Sequence, residues 1–325
     1  MVSYVKKFFV GVLVCASAIG VSAQQMPEEL KGKTVTVIVP WGAGGTVDLL
    51  TRTLVQRIEL QQPDLKMIVT NRPGAGGAVG GRFVADSEPN GLTMGLFTPS
   101  DMSLNSLRGV SNAVGYGDIS CFHSTVKWGS GLFVHADAPF NNLQQMIEYL
   151  KKDTKASYAT IAFLTTMFAE HLLDEAGVKN VVAVPYKSAA ESLRAVLSKE
   201  VTFGITAVAE SAPLVKEGKL KLIVVGTPER NALVPNVPSV TETFKNVTMD
   251  NSIGYCFPRS TPSKFADYFN KVFDKAAKSP EFVDFLTKRN QTVLGGGIDV
   301  ANEWYENSWK TWRLRNNKYG HLLKN

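Results

Sequence analysis

The 325-residue chain predicts an α/β protein built as two lobes. Three observations lead there. Short β-branched runs alternate with helical-period segments along the whole chain, the pattern of mostly parallel sheets flanked by helices. The series restarts as a second α/β unit near Gly131. The Pro-rich piece Val234-Pro235-Asn236-Val237-Pro238 then marks a loop or a segment between lobes. The expected division is residues 24–128 plus 249–325 for the first lobe and 129–248 for the second. Two crossing strands would form the hinge, and the cleft between lobes is the default place for a ligand.

In the first lobe, Thr34–Val39 is a β-branched run that stops at Pro40 and a Gly-rich turn. A helix from about Asp48 to Leu60 follows, with Leu49, Leu50, Leu54 and Ile58 near one face. Met67–Val69 is the next strand, Ala78–Ser87 the next helix and Leu92–Phe97 the third strand. In the second unit the strands are Leu132–Val134, Ser157–Thr160, Val181–Pro185, Val201–Ile205 and Leu220–Gly226. The helices are Leu143–Lys151, Thr165–Ala176 and one running through Leu197. Ser252–Phe257 returns as a strand, and helices over 262–279 and 302–316 close the chain. Trp304, Tyr305, Trp309 and Trp312 recur at near-helical spacing and predict a final helix docked on the body.

Residues 1–23 are read as a segment apart from the fold. Lys6 and Lys7 precede an apolar run from Phe8 to Gly20, and Val21-Ser22-Ala23 supplies a cleavage site before Gln24. That order is a secretory signal peptide, so the expected location is the periplasm. Its removal lowers the formal charge of +6 by two. The remaining excess suits an anionic ligand without requiring one. No block of Lys and Arg with interleaved aromatics points to nucleic acid.

The two Gly-rich turns carry the most chemistry. Gly42-Ala43-Gly44-Gly45 and Gly74-Ala75-Gly76-Gly77 spell the same tetrad, and each follows a strand and opens a helix. A helix N-terminus offers unpaired N–H groups and partial positive charge, which suits a carboxylate. Tight turning alone also explains glycine there. A dinucleotide fingerprint fails because its last glycine falls on Val47, and a phosphate-binding loop would need a Lys that is absent. No cofactor is expected. Asp48 either caps its helix or meets a ligand, and Trp41 either lies against a ligand or is a structural Trp. The four His residues lack metal-ligand spacing, and no nucleophile elbow is present, so no enzyme is expected. Cys121 and Cys256 each lie near a crossing strand, where a disulfide and two buried free thiols are the alternatives.

Taken together, these residues resemble the substrate-binding proteins of tripartite tricarboxylate transporters, the TctC or Bug family. The resemblance rests on Val39-Pro40-Trp41-Gly42-Ala43-Gly44-Gly45-Thr46-Val47-Asp48, on Asn71-Arg72-Pro73-Gly74-Ala75-Gly76-Gly77 with Asn90-Gly91-Leu92-Thr93, on Val184-Pro185-Tyr186-Lys187, and on Gly218-Lys219-Leu220-Lys221 followed by Pro235–Glu242. It implies a two-lobed, Venus-flytrap, type II-like periplasmic binding protein that hands a small carboxylate to a membrane transporter, as a monomer. The alternatives are the same clamp serving as a ligand sensor that signals to a membrane partner and, less favoured, an α/β enzyme. The candidate ligand-binding residues are Trp41, Gly44, Gly45, Thr46, Asp48, Ala75, Thr98, Ala162, Phe163, Thr165, Thr166, Tyr186 and Lys187. The chain departs from the family at Thr160–Thr166, where a Gly-rich loop is usual, and at Ser188, where Gly follows the Tyr-Lys pair. Phe163 in that loop points either to a more apolar or aromatic acid or to a diverged member that has lost the transport function.

Overall fold

The computed structural model describes residues 25–186, 188–289 and 291–319. The signal-peptide reading and Lys187 therefore fall outside the described residues. Ten strands and ten α-helices are described. The first series is β1 (Thr34–Val39), α1 (Thr46–Gln61), β2 (Lys66–Asn71), α2 (Ala78–Ala85), β3 (Thr93–Phe97) and α3 (Pro99–Leu107). β4 (Ile119–His135) leads to α4 (Leu143–Leu150), β5 (Ser157–Thr160), α5 (Phe163–Glu175), β6 (Val182–Pro185), α6 (Ala189–Leu197), β7 (Phe203–Ala207), α7 (Val208–Lys216) and β8 (Leu220–Val225). β9 (Asp250–Pro258), α8 (Ser263–Ala277), α9 (Pro280–Thr287), β10 (Gln291–Val293) and α10 (Ile298–Tyr319) complete it.

Strand pairing divides the sheet into two halves of the same design. The first runs β2-β1-β3-β9-β4 and the second β6-β5-β7-β4-β8. Each half has three parallel strands, then a strand running the other way, then another reversal. β10 adds to the outer side of β4. Pairing is thus less parallel than the alternation of elements predicts. The long β4 is the reason: every one of its partners is antiparallel to it.

β4 threads both halves, and β9 returns beside it, pairing from Gly129↔Asp250 to Ile119↔Pro258. The sequence hides the length of β4 because His123, Ser124, Thr125 and Ser130 interrupt its apolar pattern. All four are buried. Their polar groups find partners: His123 Nδ1 meets Thr125 Oγ1 at 2.8 Å, Ser124 Oγ donates to Gly295 O at 2.9 Å, and Asn251 Nδ2 donates to Ser130 Oγ at 2.7 Å. These bonds offset most of the cost of burying polar groups, while His123 Nε2, buried without a hydrogen bond, faces the Asp274 carboxylate at 3.8 Å. Gly131 permits close packing at the crossing, since a Cβ there would lie 2.7 Å from Leu222 Cδ2. Cys121 and Cys256 face each other across β4 and β9 and are joined by a disulfide.

Apolar faces fill four clusters. In α1, Leu50, Leu54 and Ile58 recur at four-residue spacing and bury fully against β1 and α8. Complete burial of one such side chain contributes roughly 1.5–3 kcal/mol. The opposite face of this half carries α2, α3 and α10 around Phe97, Met102 and Cys121. In the second half, α4 and α5 pack on one side of the sheet and α6 and α7 on the other. α10 belongs to both halves. Its Tyr305 packs with Cys121, whereas Trp312 lies in the cluster of α4 and α5. Arg315 donates to Thr248 O at 2.8 Å, and Lys318 reaches Glu175 at 3.2 Å.

Candidate functional site

The register fixes where a ligand can be reached by both halves. Along β3, Gly95 pairs with Cys256 and Phe97 with Gly254, so β3 runs towards the start of β9. Along β7, Phe203 pairs with Val134 and Ala207 with Ser130, so β7 runs towards the same crossing from the other side. β1 is parallel to β3, and β5 to β7. The β1–α1 and β5–α5 turns therefore occupy equivalent places in the two halves, each at the strand end nearest the crossing. Ligands of open α/β sheets gather at such carboxyl ends.

The β1–α1 turn is an exposed loop fastened from beneath. Gly42 to Thr46 are exposed, whereas Asp48 is 2% exposed. Gly44 takes φ +78°, a region that suits glycine. Gly45 is the N-cap, and no side chain caps the helix. The Asp48 carboxylate accepts from Gly44 N (2.9 Å), from Asn71 Nδ2 (2.8 Å) and from Arg52 Nε (3.1 Å to each oxygen). Asn71 Nδ2 also donates to Trp41 O at 3.0 Å, and Arg52 Nη2 donates to Asn71 Oδ1 at 2.8 Å. Burial pushes the Asp48 carboxyl up, but the hydrogen bonds from Arg52, Gly44 and Asn71 outweigh it and hold the group below its ordinary range. Both oxygens of Asp48 are thus engaged within the protein. Its place is under the turn, holding Trp41 and Gly44 in shape, while the N–H groups of the first helical turn face outward.

The second Gly-rich turn lies beside the first. Ala75 and Gly76 offer their carbonyls to Asn105 Nδ2 of α3, at 3.3 and 2.7 Å. Gly77 takes φ +91°, and a Cβ there would lie 3.2 Å from the Trp41 ring and 3.3 Å from Met102 Cε. This tetrad therefore braces Trp41 against α3. Thr98, buried at the end of β3, is the N-cap residue of α3.

In the β5–α5 turn three hydroxyls gather over one carbonyl. Thr160 Oγ1 is 2.7 Å from both Thr165 Oγ1 and Thr166 Oγ1. Thr165 Oγ1 donates to Ala162 O at 2.8 Å and lies 3.2 and 3.1 Å from Ile161 N and Ala162 N, which point at it. Thr160 and Thr165 are buried, Thr166 is half-buried, and Ala162 and Phe163 are exposed. Ala162 has no acceptor with which to cap the helix, so α5, like α1, presents an uncapped N-terminus. Tyr186 N donates to Thr160 O at 2.8 Å, which places its backbone beside the threonines. Its side chain turns elsewhere, to Glu200 Oε1 at 2.9 Å. Burial and that Glu200 hydrogen bond push the Tyr186 phenol up.

α3 connects the two turns. It braces the first-half turns through Asn105 and Met102, and Arg108, just past its end, stacks over the Phe163 ring of α5 with Cζ 4.5 Å from the centroid. The structure thus brings together Trp41, the two tetrads and, through α3, the Phe163 turn. The side chain of Tyr186 is not part of that group. Asn71, Asn105, Arg108 and Thr160 take part without being among the candidate ligand-binding residues. For Thr160 the signal was available, as a hydroxyl at a strand end before a helix. No element is read from the sequence between Phe97 and Gly131, so Asn105, on α3, and Arg108, just past it, carried none. Among the described residues, no group of three His, Cys, Asp or Glu side chains is placed to hold a metal ion.

Residues 52–313 match the family described as the tripartite tricarboxylate transporter family receptor. A protein in the gbd 5′ region of Cupriavidus necator is 27% identical over 288 residues, covering 86% of each chain. Among solved structures, the periplasmic binding protein BugD superposes with a TM-score of 0.77 at 22% identity, covering 91% of this chain and 99% of BugD. R. palustris Rpa4515 with adipate gives a TM-score of 0.77 at 22% identity, covering 88% and 97%. These likenesses give the fold as that of two-lobed periplasmic binding proteins, and the family as one of solute receptors rather than enzymes. The chain belongs to the tripartite tricarboxylate transporter receptor family.

Proposed function

We propose that this chain captures a small carboxylate between residues 24–128 plus 249–325 and residues 129–248, and delivers it to the membrane components of a tripartite tricarboxylate-type transporter. The observation that carries the reading is the pair of uncapped helix N-termini, at Gly45–Asp48 and Ala162–Thr165, in equivalent positions of the two halves. Each supplies neutral N–H donors and a helix-dipole field to one end of an anion. Thr46 and Thr166 add hydroxyls. Phe163, exposed beside the second turn, favours a ligand with an apolar middle: a dicarboxylate such as the adipate held by Rpa4515, or an aromatic acid. The protein acts as a monomer in the periplasm, after cleavage before Gln24. The second-lobe boundary is supported by the clusters that gather within 132–247, although Leu104, Met249 and Trp312 join them from outside.

Calorimetric titration with succinate, malate, adipate and benzoate tests the reading. Micromolar binding of one class is expected, corresponding to about −8 kcal/mol, with loss of affinity in Thr165→Ala. Absence of binding by every acid at millimolar concentration would overturn it.

A further inference from the structure

A cavity of ≈ 550 Å³ opens beside the crossing, and none of its lining residues belongs to the carboxylate turns. Its walls come from five segments: β4 at Trp128, the start of β9 at Asn251, the loop after β8 at Asn231, β10 at Thr292, and α10 at Trp304. The volume lies within the roughly 300–1,000 Å³ typical of small-molecule sites. Two indoles contribute apolar wall. Much of the polar lining is already committed. Trp304 Nε1 donates to Ser252 Oγ at 3.0 Å, Asn251 Nδ2 to Ser130 Oγ at 2.7 Å, and Arg230 holds Glu242 through Nε and Nη2 at 2.7 and 2.8 Å.

Two charges are not committed. Lys127 and Glu229 both line the cavity, and neither side chain makes an ion pair or hydrogen bond with another described residue. Opposite charges on two walls of the cavity, Lys127 on β4 and Glu229 in the loop after β8, that do not reach each other leave room for a ligand carrying both complements. We propose that this cavity is a second binding site, for a zwitterionic amino acid with an aromatic side chain. The ligand carboxylate meets Lys127, its ammonium meets Glu229, and its ring lies among Trp128 and Trp304. Because the walls come from both crossing segments, Gly129 on β4 and Asn251 on β9, lobe rotation reshapes the cavity. Occupancy therefore couples to the carboxylate cleft, and the coupling is reciprocal; this last step rests on the function proposed above.

The test is calorimetric titration of the purified protein with L-phenylalanine and L-tryptophan. Binding in the micromolar to millimolar range is expected. 3-Phenylpropionate, without the ammonium, and phenethylamine, without the carboxylate, should each bind roughly fivefold or more weakly, as should the amino acid to Lys127→Met or Glu229→Gln. Ser308→Trp, which places an indole at the cavity wall, should abolish binding. Thr165→Ala should leave amino-acid affinity intact while weakening the carboxylate. No binding at 10-millimolar order, or binding that ignores Lys127 and Glu229 and is lost in Thr165→Ala, would overturn the site. An unchanged carboxylate Kd at saturating amino acid would overturn the coupling. If no carboxylate binds at all but Lys127-dependent amino-acid binding persists, the second site stands and the carboxylate reading falls.

Discussion

Replacing Asp48 with Ala separates a ligand contact from a scaffold. The carboxylate is 2% exposed and receives donors from Gly44, Asn71 and Arg52. Hydrogen bonds to a charged group are each worth about 1.5–3 kcal/mol net. The Arg52 contribution shrinks because its side chain is 46% exposed and can turn to water. Asn71 retains Trp41 O and Arg52 Nη2 as partners. The expected cost of Asp48→Ala is therefore about 2–3 kcal/mol, a fall in Tm of roughly 5 °C or more for a chain of this size. The turn from Trp41 to Gly44 loosens with it, and the Kd for the preferred carboxylate should rise about tenfold or more. Asp48→Asn keeps an acceptor for Gly44 N and should lose about half as much stability. Differential scanning calorimetry and isothermal titration of the same samples give both numbers. Asp48 is held below its unfolded pKa, so its contribution is present above that value and lost as pH falls through the folded one. The stability difference between wild type and Asp48→Asn should accordingly narrow in acid. A Tm within about 1 °C of wild type for Asp48→Ala would refute the scaffold. A lowered Tm with unchanged Kd would show that the turn does not hold the ligand.

Further outcomes follow from other residues. Thr165→Val leaves Thr160 Oγ1 without one partner and should cost about 1–2 kcal/mol, read from chemical denaturation, with weakened carboxylate binding. Burial first, with help from Arg315, pushes His171 down to about 4. Its contribution is complete above about pH 6.5 and lost on the way down to about 4, as much as about 3 kcal/mol. His171→Gln should remove that component from a stability–pH profile. Cys121→Ser should lower stability by about 2–5 kcal/mol under oxidising conditions and leave nothing for reductant to change. Gly77→Ala, at φ +91° and against Trp41, should destabilise by roughly 1–2 kcal/mol and reduce carboxylate affinity, measured on the same calorimeters.

Local signals sufficed where one physical rule dominated. Thr34–Val39 is a strand because a β-branched run ends at Pro40, and α1 follows because Leu50, Leu54 and Ile58 keep helical spacing. The two tetrads were legible as turns that open helices. What stayed hidden depends on partners distant in sequence. β4 carries buried polar residues, of which Ser124 and Ser130 are satisfied only by the distant Gly295 and Asn251, so its 17 residues do not read as one strand. α3 begins Pro99-Ser100-Asp101 and carries several polar residues, yet Met102 and Leu104 bury it between the halves. The engagement of Asp48 by Asn71 and Arg52 is likewise a tertiary fact. Residue type placed a carboxylate at the helix start but not the donors around it.

The placement of β9 between β3 and β4 also sets an order of assembly. Every strand partner of the second half beyond β4 comes from residues 157–225, a continuous stretch, whereas β3 has no inner neighbour until Gly254–Cys256 arrives. Non-local pairing of that kind forms late because the chain between must first be closed. The part made from the middle of the chain therefore folds ahead of the part that begins it, the reverse of the usual N-terminal-first sequence. In pulse-labelled hydrogen exchange during refolding, the amides of Leu132 and Ile205 should gain protection before those of Val37 and Leu96. Until then the N-terminal strands wait with an open edge, and the time spent in that state sets the window in which the newly made protein is exposed to aggregation.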